Sequence, residues 1–201
     1  MLARKKMRGF SMVELLIVVA IMMIVLGTSF IQIIPALKAA KTEVALQTTL
    51  GQMRRAHELA VDKRTVYRVS FNAPRTIQLD KVDIDPVTLA QVFTFQSSID
   101  LPPDMSFTVV SGIPTTSTTV PEGYGNGSTA IDFDKDFSGG GTEVYFQRDG
   151  RALDAANRLN NGLVYMCRTG EFRSCKAVSL TGATGRSKGW RLNPAANGWI
   201  Q

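Results

Sequence analysis

The N-terminal part of the chain is dominated by one continuous hydrophobic segment. Between Phe10 and Ile34, 19 of 25 residues are apolar, and Glu14 is the only charged one. At about 1.5 Å of rise per residue, a helix of this length crosses the hydrocarbon of a bilayer. A helix in a protein core normally keeps a polar face, which this segment lacks. The pattern predicts a membrane-spanning helix. Its predicted transmembrane residues are Leu15, Leu16, Ile17, Val18, Val19, Ile21, Ile24, Val25 and Leu26.

After this segment, the hydrophobic pattern becomes that of an amphipathic helix. Side chains of one face recur every three to four residues, at Leu46, Leu50, Met53, His57 and Ala60. Pro35 can kink a membrane-associated helix without ending it. We therefore expect one helix from about Ser11 to Val61.

The remainder of the chain alternates short apolar runs with turn residues, which is typical of β-strands. Strands are expected at 65–71, 76–82, 91–96, 106–110, 129–133, 143–147, 163–167 and 176–180. Asn72 to Arg75 and Asp149-Gly150 are turn sequences. The Pro-, Ser/Thr- and Gly-rich stretch 111–127 is expected to be an exposed loop. The predicted fold class is α+β, a long N-terminal hydrophobic helix followed by an antiparallel β-sheet.

The distribution of charge predicts how the membrane helix is oriented. The 201 residues suffice for one domain with an appendage, and the net charge of +6 is unevenly distributed. The first nine residues carry four cations, 10–147 have a balance of −4, and 148–201 have a balance of +6. Cations before a membrane span place its N-terminus in the cytoplasm and the following residues outside the inner membrane. An ordinary secretory signal peptide fits less well, because the apolar segment is too long. In addition, the small residue expected at a cleavage site, Gly9, lies before the apolar segment and not after it.

The residues Lys5 to Leu16, KKMRGFSMVELL, resemble the class III signal of type IV prepilins and pseudopilins. The resemblance implies cleavage between Gly9 and Phe10 by a membrane prepilin peptidase, and N-methylation of Phe10 by the same peptidase/methyltransferase. It also implies that Glu14 pairs with the N-terminal amine of a neighbouring subunit. A carboxylate at a helix centre in lipid costs roughly 3 kcal/mol, so such a group needs a partner. The alternative is that Glu14 lies at the headgroup boundary and pairs with nothing.

Four later segments are similar to GspH/FimT-type minor pseudopilins. They are 46–50, 56–60, the Val-Tyr-Phe run at 144–146 with Asp-Gly-Arg at 149–151, and Thr-Gly-Arg at 184–186. The resemblance implies a pilin-like fold with a β-sandwich-like head. It divides the chain into a leader (1–9), a transmembrane and assembly helix (10–34), its amphipathic continuation (35–62) and a β-rich periplasmic head (63–201). The implied partners are other pseudopilins or pilins, the prepilin peptidase and the inner membrane. They would act in a type II secretion system or a type IV pilus.

The sequence shows little that supports an enzyme. His57 is the only histidine, and no phosphate-binding glycine loop, serine nucleophile elbow or zinc-binding Cys/His cluster is present. Asp132, Asp134 and Asp136 alternate as calcium ligands could, but an EF-hand would need glycine where Phe137 stands. We expect these acids to form the solvent face of a strand, and we expect no metal and no cofactor.

The two cysteines are expected to form a disulfide. Cys167 and Cys175 flank a predicted reversal at Gly170, and a compartment outside the inner membrane favours oxidation. Such a short loop stabilises by about 2 to 3 kcal/mol. Two free buried thiols are the alternative.

The basic C-terminal segment leaves its function open. Arg186, Lys188 and Arg191 surround Trp190 among glycines, so we expect a flexible cationic segment. Such a segment can attract the DNA backbone and stack a base, and some proteins that resemble this family bind DNA. The alternatives are a solvated surface or a contact with acidic neighbours in an assembly. The three functions considered are thus a filament subunit, a DNA-binding minor pilin and a membrane-anchored binding module that does not assemble.

Overall fold

One long helix opens the structure, a computed structural model that describes residues 11–114, 119–125, 129–133, 141–193 and 198–201, apart from the side chains of 30–32. Helix α1 spans Met12–Asp62, with Pro35 inside it. It ends where Arg64 takes a left-handed φ of 50° and the Thr65 N–H donates to the Ala60 carbonyl at 3.2 Å. The predicted single helix is confirmed to within one residue at each end.

The chain divides into two compact units, Met1–Ala39 and Ala40–Gln201. In the first unit, every described side chain from Met12 onward is exposed. The hydroxyls of Thr28 and Ser29 donate to the Val25 carbonyl at 3.0 and 2.8 Å. These polar groups are therefore satisfied within the helix, as an apolar environment requires.

The second unit adds two antiparallel sheets to the last part of α1. In the described part of the chain the strands are β1 Val66–Asn72, β2 Thr76–Ile84, β3 Gln91–Asp100, β4 Ile131–Phe133, β5 Glu143–Phe146, β6 Ala152–Leu153, β7 Gly162–Arg168, β8 Glu171–Thr181, β9 Arg186–Asn193 and β10 Gly198–Ile200. The first sheet has the order β3-β2-β1-β5-β6, and the second has the order β10-β9-β8-β7-β4. All the pairings are antiparallel, so the predicted α+β class is confirmed.

The main core lies between the inner faces of the two sheets and α1. Alternate residues of β1, β2, β5, β7 and β8 point into it, as the strand period of two requires. The helix contributes Ala45, Leu46, Leu50, Met53, Ala56 and Ala60; the first sheet contributes Val69, Phe71, Ile77, Leu79, Val144 and Phe146; the second contributes Val164, Met166, Val178 and Leu180. Four of the five residues of the predicted helical stripe are buried here, and His57 is half-buried.

The outer face of the second sheet is also covered, which corrects one prediction. Leu163, Tyr165 and Ala177 point to this face, and Ile113 packs against them. The stretch 111–127 is therefore wrongly predicted as an exposed loop: its described residues Ile113, Pro114, Val120 and Pro121 are buried. A strand such as β7 with apolar residues on both faces needs cover on both sides.

Two further predictions of local structure are wrong. The segment 106–110 is not a strand, since Ser106 makes only an isolated bridge to Cys167. The basic segment at 186–193 is strand β9 rather than a flexible stretch. Its glycine, Gly189, faces α1, where an added Cβ would lie 2.8 Å from Leu50 Cδ1. This glycine permits close packing of strand on helix, and it does not signal mobility.

Candidate functional site

The predicted processing site lies just before the described residues. Gly9 and Phe10 fall outside them, and α1 begins at Met12. Glu14 lies in the first turn, where a carboxylate is favoured by the partial positive charge of the helix N-terminus. From residue 11 onward in the described ranges, no cation forms an ion pair with Glu14. Its carboxylate is available for a partner outside these residues.

The nine predicted transmembrane residues form a continuous apolar surface. Each of them is 41 to 69% exposed, and α1 is long and apolar enough to cross a membrane. Each large apolar side chain left in water forgoes roughly 1.5 to 3 kcal/mol of burial energy. This surface therefore needs lipid or neighbouring helices around it.

The predicted DNA-binding residues of β9 are divided between the two faces of the second sheet. Lys188 and Trp190 share the outer face, where Lys188 forms an ion pair with Glu122. Trp190 Nε1 donates to Ser179 Oγ at 2.9 Å, and that hydroxyl donates to Glu122 at 2.7 Å. The amine and the indole N–H are thus both engaged within the head.

Arg191 is engaged on the opposite face. Its guanidinium donates to both carboxylate oxygens of Glu43 on α1, at 2.6 and 3.1 Å. This hydrogen bonding is the main reason why the pKa of Glu43 is lowered. Of the four predicted residues, only Arg186 has no side-chain partner within the described ranges.

Arg186 lines a cleft together with residues of α1. The cleft has a volume of about 260 Å³ and lies between Arg54, His57 and Glu58 on the helix and the turn from β8 to β9. The imidazole of His57 contacts Phe146 edge to face, with ring centroids 5.9 Å apart. The only histidine is therefore a partly packed helix residue at the wall of a charged cleft.

The structure pairs Cys167 of β7 with Cys175 of β8 in a disulfide. The two Cα atoms are 4.2 Å apart, and Gly170 in the connecting turn has a φ of 74°. The Arg168 N–H donates to Ser174 Oγ at 2.8 Å and closes the same hairpin. Both cysteines are fully buried on the outer face of the second sheet.

Of the three aspartates considered as a calcium site, only Asp132 lies within the described residues. Asp132 is only 6% exposed, which corrects the expectation that it lies on a solvent face. It lies near Tyr165, whose pKa is raised mainly by burial and further by the charge of Asp132. Asp134 and Asp136 lie outside the described residues, and among the residues that the structure describes no cluster of three His, Cys, Asp or Glu side chains could hold a metal.

Comparison with protein families identifies the N-terminal segment. The model of the prokaryotic N-terminal methylation motif matches residues 4–30. The prediction of a type IV prepilin-like protein is confirmed at the level of this motif, which includes Gly9, Phe10 and Glu14.

Comparisons over the rest of the chain reach only remote similarity. No curated protein gives a significant match. The minor pseudopilin EpsH from the type 2 secretion system of Vibrio cholerae is similar in structure, with a TM-score of 0.46, 7% identity, and coverage of 75% of this chain and 97% of EpsH. The type IV minor pilin FimU of Pseudomonas aeruginosa matches with a TM-score of 0.45 and 11% identity, covering 81% of this chain and 94% of FimU.

The first sheet contains a charged cluster that was not predicted from the sequence. Arg68 of β1 binds Asp80 at 2.6 Å and Glu143 at 3.2 Å. Its guanidinium carbon also lies 3.7 Å from the centre of the Phe93 ring. The sequence held a signal for the first pair, because a hairpin that turns at 72–76 places residues 68 and 80 opposite each other.

Proposed function

We propose that this chain is a minor pseudopilin or pilin subunit of a type II secretion system or a type IV pilus. It is cleaved after Gly9, methylated at Phe10 and assembled through α1 into a filament based in the inner membrane. The observation that supports this proposal is the match to the methylation motif at 4–30, which includes the first part of a helix with apolar side chains exposed on all sides. Its role is then structural, with recognition by the head and no catalytic turnover.

The proposed assembly depends on α1 and on one charge pair. Cleavage creates an α-amino cation at Phe10, four residues before Glu14. Within a bundle of such helices, the low dielectric strengthens the attraction between this cation and a neighbour's carboxylate. An unpaired carboxylate in the same position is costly, so the pair favours the register in which both charges meet.

The orientation follows from the same residues. The four cations at 4–8 hold the leader in the cytoplasm, and the head then lies in the periplasm. The disulfide between β7 and β8 agrees with this location, because the periplasm is an oxidising compartment.

Mass spectrometry of the purified native protein tests the processing step. We expect a mature chain that starts at a methylated Phe10. Gly9→Leu should leave the leader attached, whereas Gly27→Ala, whose Cβ would meet no atom within 4 Å, should be processed normally. A chain that still starts at Met1, in cells that process another prepilin, would contradict the proposal.

Filament incorporation tests the role of Glu14. Glu14→Leu should leave cleavage intact and strongly reduce incorporation, because the N-terminal amine of the neighbour loses its partner. Thr28→Val is the matched control, since the Thr28 hydroxyl bonds only to backbone carbonyls of its own helix in the described structure. Equal incorporation of the wild type and Glu14→Leu would remove the pairing mechanism.

The DNA-binding alternative stays a prediction. The internal partners of Lys188, Trp190 and Arg191 give it less support than the filament role. Gel retardation of DNA by the full chain in detergent tests it. A salt-sensitive shift that disappears when Arg186, Lys188 and Arg191 are all changed to alanine would favour the alternative.

A further inference from the structure

We propose that the cleft between α1 and the β8–β9 turn binds a single carboxylate from an acidic segment of a neighbouring subunit. Arg54, His57 and Glu58 line it from the helix, and Thr184 and Arg186 line it from the turn. Only the identity of the donor, a neighbouring subunit, rests on the proposed filament function. The anion-binding chemistry of the cleft rests on the residues themselves.

The two cations of β9 that lie outside the cleft are compensated, whereas the two arginines that line the cleft are not. On β9, Lys188 pairs with Glu122 and Arg191 pairs with Glu43. Arg54 and Arg186 form no ion pair in the described parts of the chain. Two arginines thus line one opening of about 260 Å³, and Glu58, the one carboxylate among its lining residues, forms an ion pair with neither of them in the described structure.

The turn that carries Arg186 is held against the helix. Gly185 has a φ of +61°, and an added Cβ would lie 2.2 Å from the Gly150 carbonyl oxygen and 2.6 Å from His57 Cδ2. The backbone therefore has no room to move closer to the imidazole, and Arg186 leaves the turn from a fixed position. Such a fixed position reduces the entropy lost when the cleft binds a ligand.

The ligand class follows from the groups that converge. Guanidinium groups bind planar carboxylates through two parallel N–H donors, and the Thr184 hydroxyl adds a further donor. Glu58, which lines the same cleft, carries a competing negative charge that lowers the affinity of the cleft for any anion.

A carboxylate from a protein fits this cleft better than a nucleic acid does. A DNA or RNA backbone presents a phosphate at each nucleotide and needs a track of cations to follow it. The next cations along β9, Lys188 and Arg191, are already neutralised by Glu122 and Glu43. The unpaired positive charge at the cleft is thus confined to Arg54 and Arg186, and this arrangement suits one carboxylate.

The single histidine provides a direct assay. His57 is the only histidine of the chain, so its imidazole signals in an NMR spectrum need no assignment. The full-length protein in non-ionic detergent is titrated with a blocked peptide that has one glutamate, and separately with the same peptide carrying glutamine at that position. We expect saturable shifts of the His57 signals with the glutamate peptide alone.

Variants of the lining residues make the assay specific. Arg54→Gln or Arg186→Gln should weaken peptide binding about two- to fivefold, the range for an exposed ion pair. Glu58→Gln should strengthen it by a similar factor, because the competing charge is gone. Arg55→Gln is the matched control: Arg55 is exposed on the same helix but does not line the cleft, and its removal should leave the affinity unchanged.

Three outcomes would overturn the inference: equal shifts with both peptides, equal effects of Arg54→Gln and Arg55→Gln, or tighter binding of a single-stranded oligonucleotide at the same signals. An uncleaved N-terminus would instead contradict the proposed filament function, and it would leave the peptide titration unaffected. The two proposals therefore fail in different experiments.

Discussion

Replacing Arg68 should show that a buried charge cluster holds the first sheet together. Its side chain is 15% exposed, and Asp80, which it binds at 2.6 Å, is 1% exposed. Arg68→Met keeps much of the aliphatic stem and removes the charge. Asp80 then retains only the Gln78 amide in the described structure, at 2.8 and 3.0 Å, and its negative charge stays buried.

The magnitude follows from that uncompensated charge. Breaking a buried ion pair by removing one partner costs about 3 to 5 kcal/mol. We expect the lower end, a loss of about 3 kcal/mol in the free energy of unfolding, because Arg68 retains some contact with water. With a urea dependence of about 2 kcal/mol per molar, the unfolding midpoint should fall by about 1.5 M.

Urea unfolding of the full chain in non-ionic detergent, followed by the fluorescence of Trp190 and Trp199, measures this change. Urea is uncharged and does not screen the ion pair. Lys81→Met is the matched control, since the Lys81–Asp83 pair on β2 is 36 and 44% exposed. Its loss should cost no more than about 1 kcal/mol.

The double variant Arg68→Met/Asp80→Leu separates a buried charge from simple packing. Replacing both partners by apolar side chains removes the unpaired charge, so this variant should recover at least about half of the stability lost in Arg68→Met. A loss below about 1 kcal/mol for Arg68→Met would refute the reasoning. The reasoning would also be refuted if the double variant lost as much free energy of unfolding as the two single variants lose together.

Three further predictions concern the head and use the same unfolding assay. Cys175→Ser opens the disulfide of the β7–β8 hairpin and should cost about 2.5 kcal/mol; equal midpoints would contradict it. The Arg191 guanidinium lowers the pKa of Glu43, so this pair stabilises fully above the ordinary glutamate pKa of 4.5 and loses its effect as pH falls through the lower folded value. Stability curves of Glu43→Gln and wild type should therefore differ by up to about 1 kcal/mol at pH 7 and converge at acid pH. Gly185→Ala should cost more than about 1 kcal/mol because of its positive φ and its blocked Cβ position, whereas Gly51→Ala, in open space on α1, should not destabilise.

Much of the fold could be predicted because its signals are local. The apolar run and the stripe from Leu46 to Ala60 indicate the helix through their spacing alone. The turn at 72–75 lies between two runs of alternating residues, so the β1–β2 hairpin follows from nearest neighbours in the chain. The processing motif is equally local, and the family match at 4–30 covers all of its residues.

The remaining parts depend on contacts between distant segments. Gly189 reads as flexible in the sequence, but it is required because Leu46 and Leu50 pack on that position of β9. Likewise, Ile113 lies in a loop-like sequence, and its burial follows only from the need to cover the outer face of the second sheet. In both cases the packing partner lies far away in the chain, so the local sequence pattern does not indicate it.

The candidate site also depends on contacts between distant segments, as the distribution of charge along the chain shows. The basic tail suggests a cationic surface when it is considered alone, because its balance is +6 over 148–201. The acidic middle of the chain supplies the partners: Glu43 lies 148 residues before Arg191, and Glu122 lies 66 residues before Lys188. Folding therefore neutralises Lys188 and Arg191 through internal ion pairs and leaves Arg186 at the cleft that Arg54 also lines. A site of two arginines selects a partner by position, since only a carboxylate presented at that cleft gains both contacts.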